Sequence, residues 1–412
     1  MTKLNELIQQ LCPDGVEYKT LGELGKFFGG LTGKSKDDFT DGNAKFITYK
    51  NVYANPSLQI DVEDRVKIAD GERQRTLQYG DVIFTGSSET PDECGISSVV
   101  TVKTEEKLYL NSFCFFFRFD DLNIMLPDFA KHLFRSNELR YQIGKTASGV
   151  TRYNVSKKLM EKVSIPVPPL PVQSEIVRIL DNFTELTAEL TAELTARKKQ
   201  YEYYRDKLLT VDKTTKVVPL REVVKHSCSG GTPTKGVVEY YEKGNIPWIR
   251  TQDVRFNEIY GVDSYITEKA VEKTSAKWIP KNCVIVAISG ASAGRCAINR
   301  IRATTNQHCL NLEIDPQQAL YRYVFHCISC KYQELLGKKQ GARGDLNSTL
   351  ILDTEIPLPA LIEQERLVSI LDRFDALCND LTSGLPAEIA ARQKQYEFYR
   401  DKLLTFKEQK SK

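Results

Sequence analysis

Apolar and polar positions follow two different rhythms along this chain. Between Gln173 and Leu209 there is no Gly or Pro, and Ile176, Ile179, Phe183, Leu186, Leu190 and Leu194 recur at three- and four-residue steps. That spacing draws one apolar stripe on a helix of about 37 residues, roughly 55 Å long at 1.5 Å per residue. One small domain cannot bury such a stripe, so it requires a partner helix. Elsewhere the apolar runs are short. Val82-Ile83-Phe84, Ser97 to Val100 and Ser112 to Phe119 predict strands separated by turns, with a helical pattern over 127–141. Leu4, Leu7, Ile8 and Leu11 predict a short amphipathic helix, expected to stand in for the helix end that precedes a second globule.

The partner helix is supplied by repetition. Ile165-Pro166-Val167-Pro168 returns as Ile356-Pro357-Leu358-Pro359, and Ile179-Leu180-Asp181 as Ile370-Leu371-Asp372, both 191 residues later. Gln200-Tyr201-Glu202 and Tyr204-Arg205-Asp206-Lys207-Leu208-Leu209 return 195 residues later as Gln395-Tyr396-Glu397 and Tyr399-Arg400-Asp401-Lys402-Leu403-Leu404. The second copy therefore carries a short insertion, and its Gly384 and Pro386 predict a break in that helix. A period near half the chain length means a duplicated module of globule plus helix. The globules repeat only loosely: Leu220-Arg221-Glu222-Val223 follows Leu21-Gly22-Glu23-Leu24, Trp248 to Val254 follows Phe46 to Val52, and Cys283 to Val286 follows Asp81 to Phe84.

Composition adds little. The 412 residues carry ordinary apolar (41%) and charged (27%) content and a net charge of +3, which neither demands nor excludes nucleic acid. Ten scattered cysteines and the lack of a leader at the start predict reduced thiols and a cytoplasmic location, and no apolar run is long enough for a membrane.

With Ser229-Gly230-Gly231-Thr232-Pro233-Thr234, Ile246-Pro247-Trp248-Ile249-Arg250, the twin Ile-Pro exits and the twin Gln-Tyr-Glu ends in this order, the chain resembles the specificity subunit of type I restriction–modification systems over essentially its whole length. The first globule departs from the pattern, with Gly29-Gly30-Leu31-Thr32-Gly33 in place of a Gly-Gly-Thr-Pro loop. The resemblance implies an α+β chain: two mixed α/β target recognition domains joined by two long helices, which form an antiparallel coiled coil with an internal pseudo-twofold. Expected bounds are 1–165 and 213–356 for the recognition domains, with 166–212 and 357–412 for the helices. It also implies a non-catalytic reader without cofactor or bound metal. Each globule takes half of a split site in double-stranded DNA, and two methyltransferase subunits and the restriction/translocase subunits dock on the chain.

A helix of roughly 55 Å exceeds one duplex turn of roughly 34–36 Å, so two heads at its ends could meet separate groove segments. Thr-Ala-Glu-Leu occurs at 187–190 and again at 191–194. Each unit adds about 6 Å of helix and about 40° beyond a full turn, against about 3.4 Å per base pair. The array is expected to act as a ruler for the unread spacer; the alternative is a low-complexity helix with no metric role.

Base readers are expected among polar loop residues, since Arg or Lys grips guanine and Asn or Gln grips adenine through paired hydrogen bonds. In the first head these are Lys34, Lys36, Lys50, Asn51, Ser87, Ser88, Arg152 and Tyr153; in the second, Thr234, Lys235, Arg250, Gln252, Ser292, Arg295, Arg343 and Asn347. Tyr201, Tyr204, Arg205, Tyr396, Tyr399 and Arg400 are candidates for partner docking, because interfaces favour aromatics and Arg; the competing reading is that the tyrosines complete the helix seam.

Other patterns point elsewhere and are weaker. Phe28 to Ser35 nearly fits a phosphate-binding loop but has Phe where the first Gly belongs. Pro91-Asp92 with Glu105-Glu106-Lys107 imitates a Mg²⁺ nuclease spacing and supplies an alternative, a self-contained DNA endonuclease. His326-Cys327-Ile328-Ser329-Cys330 holds a single C-x-x-C, which is poor grounds for zinc. A coiled-coil assembly scaffold would explain the helices but leave both globules idle.

Overall fold

The computed structural model describes residues 2–210, 215–338, 345–379 and 383–409. Each head starts and ends on one antiparallel strand pair. Glu17–Thr20 pairs with Ser164–Val167, and Val217–Pro219 pairs with Glu355–Pro357. The Ile-Pro exits are therefore the outgoing strands. Pro166 and Pro357 sit in two-stranded pairs, where the missing N–H costs no central ladder bond.

In head 1 the main sheet runs Gly25–Gly29, Cys114–Phe119, Val82–Thr85, Ser97–Val99, all antiparallel neighbours. Its central strand is buried on both faces. Val82 and Phe84 pack with Phe117, Phe129 and Phe134 on the helical side, while Ile83 packs with Ile47 and Leu110 of a smaller sheet and with Val52 of the short helix Tyr49–Ala54. Continuous apolar runs, rather than strict alternation, are what a strand buried on both faces needs. The smaller sheet orders Arg65–Val66, Ala44–Ile47 and Tyr109–Leu110.

Head 2 repeats this build. Its main sheet orders Val224–Ser229, Cys309–Ile314, Val284–Ala287, Cys296–Asn299 and Asn257–Ile259. Val284 and Val286 face Tyr323, Val324 and Ile328, whereas Ile285 and Ala287 face Ile249 and Ile279. The smaller sheet orders Tyr265–Ile266, Ile246–Ile249, Ala303–Thr305 and Trp278–Ile279.

Six helices matter below: α1 (Thr2–Leu11), α2 (Pro127–Leu133), α3 (Leu170–Leu208), α4 (Tyr321–Cys330), α5 (Leu361–Asn379) and α6 (Leu385–Leu403). The 39 residues of α3 match the uninterrupted pattern, and Pro171 falls in its first turn, where an N–H has no partner to lose. The break foreseen from Gly384 and Pro386 separates α5 from α6, with Pro386 likewise in a first turn. The apolar stripe of α3 is sealed unevenly. Ile176 and Leu180 are buried, Leu190 and Leu194 are half-buried, and Leu186 is exposed.

The chain divides into two compact units: Met1–Leu190 with Ile389–Lys412, and Thr191–Glu388. The division falls inside α3 and near the start of α6, not at their ends. Each unit thus combines a head, the start of the helical passage that follows it, and the end of the other passage. The place expected for α1, equivalent to the helix end before head 2, is filled in the first unit by α6. There α1 packs Leu4 into the core with Val172 and Ile176, and Lys3 pairs with Glu175 on α3.

Candidate nucleic-acid interface

The heads share one construction at the end of the sheet away from the helices. In head 1, Leu31 N–H donates to Leu110 O, Asn111 to Ile47 O, Gly86 to Phe113 O and Val155 to Gly86 O, at 2.7–3.1 Å. In head 2, Gly231 donates to Thr305 O, Asn306 to Ile249 O, Ile288 to His308 O and Leu346 to Ile288 O, at 2.7–2.9 Å. These are the same four links between the same loops. Asn111 Oδ1 accepts from Phe113 N at 2.9 Å, and Asn306 Oδ1 accepts from His308 N at 3.1 Å. A Cβ on Gly30 or on Gly230 would lie 2.0 Å from a carbonyl oxygen, of Asn111 or of Thr305, so both positions need glycine. Just below each tip, burial pushes the Cys114 and Cys309 thiols up to about 12, leaving them inert.

On this shared base the tips differ. Head 1 presents Phe113 with the Arg152 guanidinium 5.9 Å from its ring, and Arg152 Nε donates to Ser87 Oγ at 3.1 Å. Ser87 and Ser88 pair as a strand with Tyr153 and Asn154, while Ser88 Oγ donates to Glu93. Lys50 is exposed on the short helix Tyr49–Ala54, and the Tyr49 hydroxyl donates to Ser87 O. Asn51 is consumed locally: its amide donates to Gln59 O and its Oδ1 accepts from Gln59 N. Lys34 and Lys36 lie apart from this group. The Lys34 ammonium is held by Glu72 and Lys67 O, both at 2.6 Å, and hydrogen bonds from Lys34, Gln74 and the Ala69 N–H hold the Glu72 carboxyl down to about 2. Lys36 is exposed and opens a 3₁₀ turn, Lys36–Phe39, so no α-helix follows the loop that resembles a phosphate-binding one.

In head 2, Thr234, Lys235 and Gln252 are exposed, and Ser292 and Arg295 are half-buried where Ala287 N–H donates to Arg295 O. Asn347 caps the helix Ser348–Leu352 by accepting from Leu350 N at 2.8 Å. Arg343 lies outside the described residues. Arg250 stands out chemically. Its guanidinium is 5.9 Å from the Trp248 ring, and its buried Nε has no hydrogen-bond partner. Beside it, Gln307 Nε2 meets His308 Nε2 at 3.1 Å. Phe113 and Gln307 reach the tips without having been singled out in the sequence, and His308 stands with them. Their signal was the internal alignment of Asn111-Ser112-Phe113-Cys114 with Asn306-Gln307-His308-Cys309.

At the opposite end, each head is fastened by a duplicated polar set. Gln173, fully buried, accepts from Leu126 N and donates to Ile124 O and Pro168 O. Gln364 does the same with Leu320 N, Gln318 O and Pro359 O. His132 on α2 holds Asp181 at 2.8 Å through Nε2 and the Tyr396 hydroxyl at 2.9 Å through Nδ1. His326 on α4 holds Asp372 at 2.8 Å and the Tyr201 hydroxyl at 3.3 Å. With Nε2–H donated to Asp181, the neutral His132 ring accepts from Tyr396. Burial lowers the pKa of His132, outweighing the attraction of Asp181.

The twin ends are therefore split between inside and outside. Tyr201 and Tyr396 are each 8% exposed, Arg400 is buried with Asn137 and Asp401, and Tyr399 stacks on Phe183. Arg205 pairs with Asp206, and Tyr204 stacks on Phe374 while staying partly exposed. The docking expectation fell mostly on side chains that finish the seam. The outward aromatics are their neighbours Tyr203 (61% exposed) and Phe398 (62%), equivalent in the repeat, with Lys207 and Lys402 at 5.8 and 5.9 Å from their rings.

The remaining patterns resolve into ordinary packing. Among the described residues no cluster of three His, Cys, Asp or Glu could hold a metal. Glu106 is engaged by Lys45, and the Asp92 backbone carbonyl accepts from Arg140. Cys327 is buried, and burial first of all raises the Cys330 thiol to about 11 beside Asp206. No helix among the described residues is long and apolar enough to cross a membrane.

A family model of the type I restriction modification DNA specificity domain matches residues 13–197 and again 212–391. The chain belongs to this family. It is similar to the specificity subunit of the Escherichia coli type I restriction enzyme EcoR124I/EcoR124II, at 40% identity over 264 residues, 61% of this chain and 65% of that one. A putative type I restriction enzyme specificity subunit of Haemophilus influenzae, S.HindORF215P, is 34% identical over 63% of this chain and 68% of its own. Two solved structures share the fold. The type I S subunit from M. genitalium covers 95% of this chain and 96% of its own at a TM-score of 0.53 and 14% identity. A chain from a study of complex assembly and conformational transition in the type I R-M system covers 96% and 98% at 0.65 and 18%. The two domain matches of this specificity-family chain end inside α3 and α6, so each includes a head and most of a helical passage.

Proposed function

We propose that this chain is the non-catalytic, DNA-reading subunit of a type I restriction–modification assembly. Each head takes one half of a split site in double-stranded DNA, and the helical passages set the unread spacer. The observation that carries this reading is the doubled loop base with unlike tips: four identical backbone links and one identical Asn bond support Phe113, Arg152 and Ser87 in one head and His308, Gln307 and Arg250 in the other. A single enzyme site has no use for two such platforms; a reader of two unrelated half-sites needs them. Arg250, whose guanidinium lies 5.9 Å from the Trp248 ring, is the strongest candidate for gripping guanine.

The outward twin aromatics Tyr203 and Phe398, each beside a lysine, are the surface for two methyltransferase subunits, and the restriction/translocase subunits join the same assembly. The chemistry of methylation and cleavage resides in those partners, and the assembly works in the cytoplasm.

The test is to map methylated bases genome-wide in cells expressing the chain with its methyltransferase partner, and in cells lacking the chain. A two-part motif that disappears on deletion is expected; a continuous motif, or one that survives, would reject the split reader. In the same assay, removing residues 187–190 should shorten the spacer by about one or two base pairs and leave both half-sites intact. Two threonine hydroxyls of that array bond within their own helix, Thr187 to Phe183 O and Thr195 to Thr191 O.

A further inference from the structure

We propose that the outer edge of the smaller sheet in each head is a phosphate contact that holds duplex DNA beside the half-site without reading its sequence. This rests on the reading of the heads as DNA-binding.

In head 2 the edge strand is Trp278–Ile279, paired with Ala303–Thr305. Together with Pro280, Lys281 and Arg302 it lines an open pocket of about 430 Å³. The Arg302 guanidinium lies 4.3 Å from the centre of the Trp278 ring, which is 37% exposed. Stacking consumes none of the guanidinium N–H donors; it holds the plane still and leaves its edge for an anion. Both Arg302 and Lys281 are exposed, and among the described residues neither has an ion-pair partner. The pocket adjoins the reading end: a Cβ on Gly231 would meet Ser275 and Ala276, the residues leading into the edge strand.

Head 1 carries an aromatic–cation pair near the equivalent edge, at other positions, with Thr76 where head 2 has Trp278. Thr76 bridges Tyr109 as Trp278 pairs with Thr304, and both partners lie beside equivalent strands, at Phe46 and Trp248. On that edge the Lys103 ammonium lies 5.3 Å from the centre of the Tyr79 ring, and Lys107 precedes Tyr109 by two residues as Arg302 precedes Thr304. Lys103 and Lys107 are exposed and have no ion pair among the described residues. Glu105 and Glu106 adjoin Lys107, so this edge attracts an anion less strongly. Exposed, unpaired cations beside an aromatic on both edges, at different positions, suit a sequence-blind contact. Duplex bases are stacked and closed to the Trp ring, which makes backbone phosphate the anion of matching charge.

The test compares binding of the intact chain, assembled with its methyltransferase subunits, to a duplex carrying the mapped methylation motif and to a random duplex of equal length, from 50 to 200 mM salt. Arg302→Gln with Lys281→Gln should weaken both duplexes by the same factor. It should also flatten the plot of log affinity against log salt by about 1.8, or about 0.9 per phosphate. Arg302→Lys should keep the wild-type slope, which separates charge from folding. An unchanged slope, or a relaxed base at one motif position, would overturn the phosphate contact while leaving the reader intact. If wild type bound both duplexes alike and the double variant still flattened the slope, the split reader would fall and the phosphate contact would stand.

Discussion

Head 1 and head 2 can be compared position by position because the chain aligns with itself. Near the helices they agree in atomic detail: Gln173 and Gln364 make the same three bonds, and His132 and His326 each join an Asp at the start of a helical passage to a Tyr at the end of the other. At the far end the backbone links persist, but Phe113 stands where the other head has His308, and an exposed loop carrying Arg152 precedes the equivalent of Leu346. The difference separates two demands. Buried polar groups must be satisfied, so a working set of partners cannot drift one residue at a time without leaving a donor or acceptor stranded. Exposed side chains carry no such penalty and are open to change for recognition.

The sharpest way to break this comparison is to damage the fastening and ask whether the tip notices. Gln173→Leu strands Leu126 N, Ile124 O and Pro168 O and should destabilise the first unit by about 3 kcal/mol or more, as a fall in its urea midpoint. The protein that remains folded should direct its methyltransferase partner to an unchanged motif. A changed half-site would mean that the base of the head also reads.

Next in size is the outward surface. Tyr203→Ala with Phe398→Ala should weaken methyltransferase assembly about tenfold or more in a titration, whereas Tyr204→Ala, whose ring is committed to Phe374, should act mainly on stability. Equal assembly by wild type and the double variant would remove these aromatics from the docking surface.

The smallest effect expected is one of pH. His132 is held neutral by burial, so its folded pKa lies below the ordinary value of 6.5. The unfolded chain then takes up the proton first as pH falls, and stability present above about 6.5 declines below it. His132→Gln should remove that part of the decline below about pH 6.5, read from thermal unfolding of the complex; an unaltered pH profile would show that this ring contributes nothing to it.

Much of the frame was legible in the sequence, because it is written in local periodicity and exact repetition. The long α3, the break before α6, the strands at Val82–Thr85, Ser97–Val99 and Cys114–Phe119, and the helical stretch after Pro127 all followed from spacing, Gly and Pro. The exchange of helix ends between the units was not legible, since it joins His132 to Tyr396 and Tyr201 to His326 across 264 and 125 residues. For the same reason the docking expectation fell on Tyr201 and Tyr396, which point inward, and passed over the variable residue between the repeated ones. Within the loops, composition marked Arg250 and Arg152 as candidates but could not separate them from Lys34 or Asn51. Those two are spent on Glu72 and Gln59, partners that only the fold brings near.

The most direct test of a constant frame with two independent readers is the methylation motif of Arg250→Ala against that of the unaltered chain. One position of one half-site should relax, at a cost of about 1–3 kcal/mol for the original base, with the other half-site and the spacer untouched. A uniform loss of methylation at every site, or a change in both halves, would contradict the account.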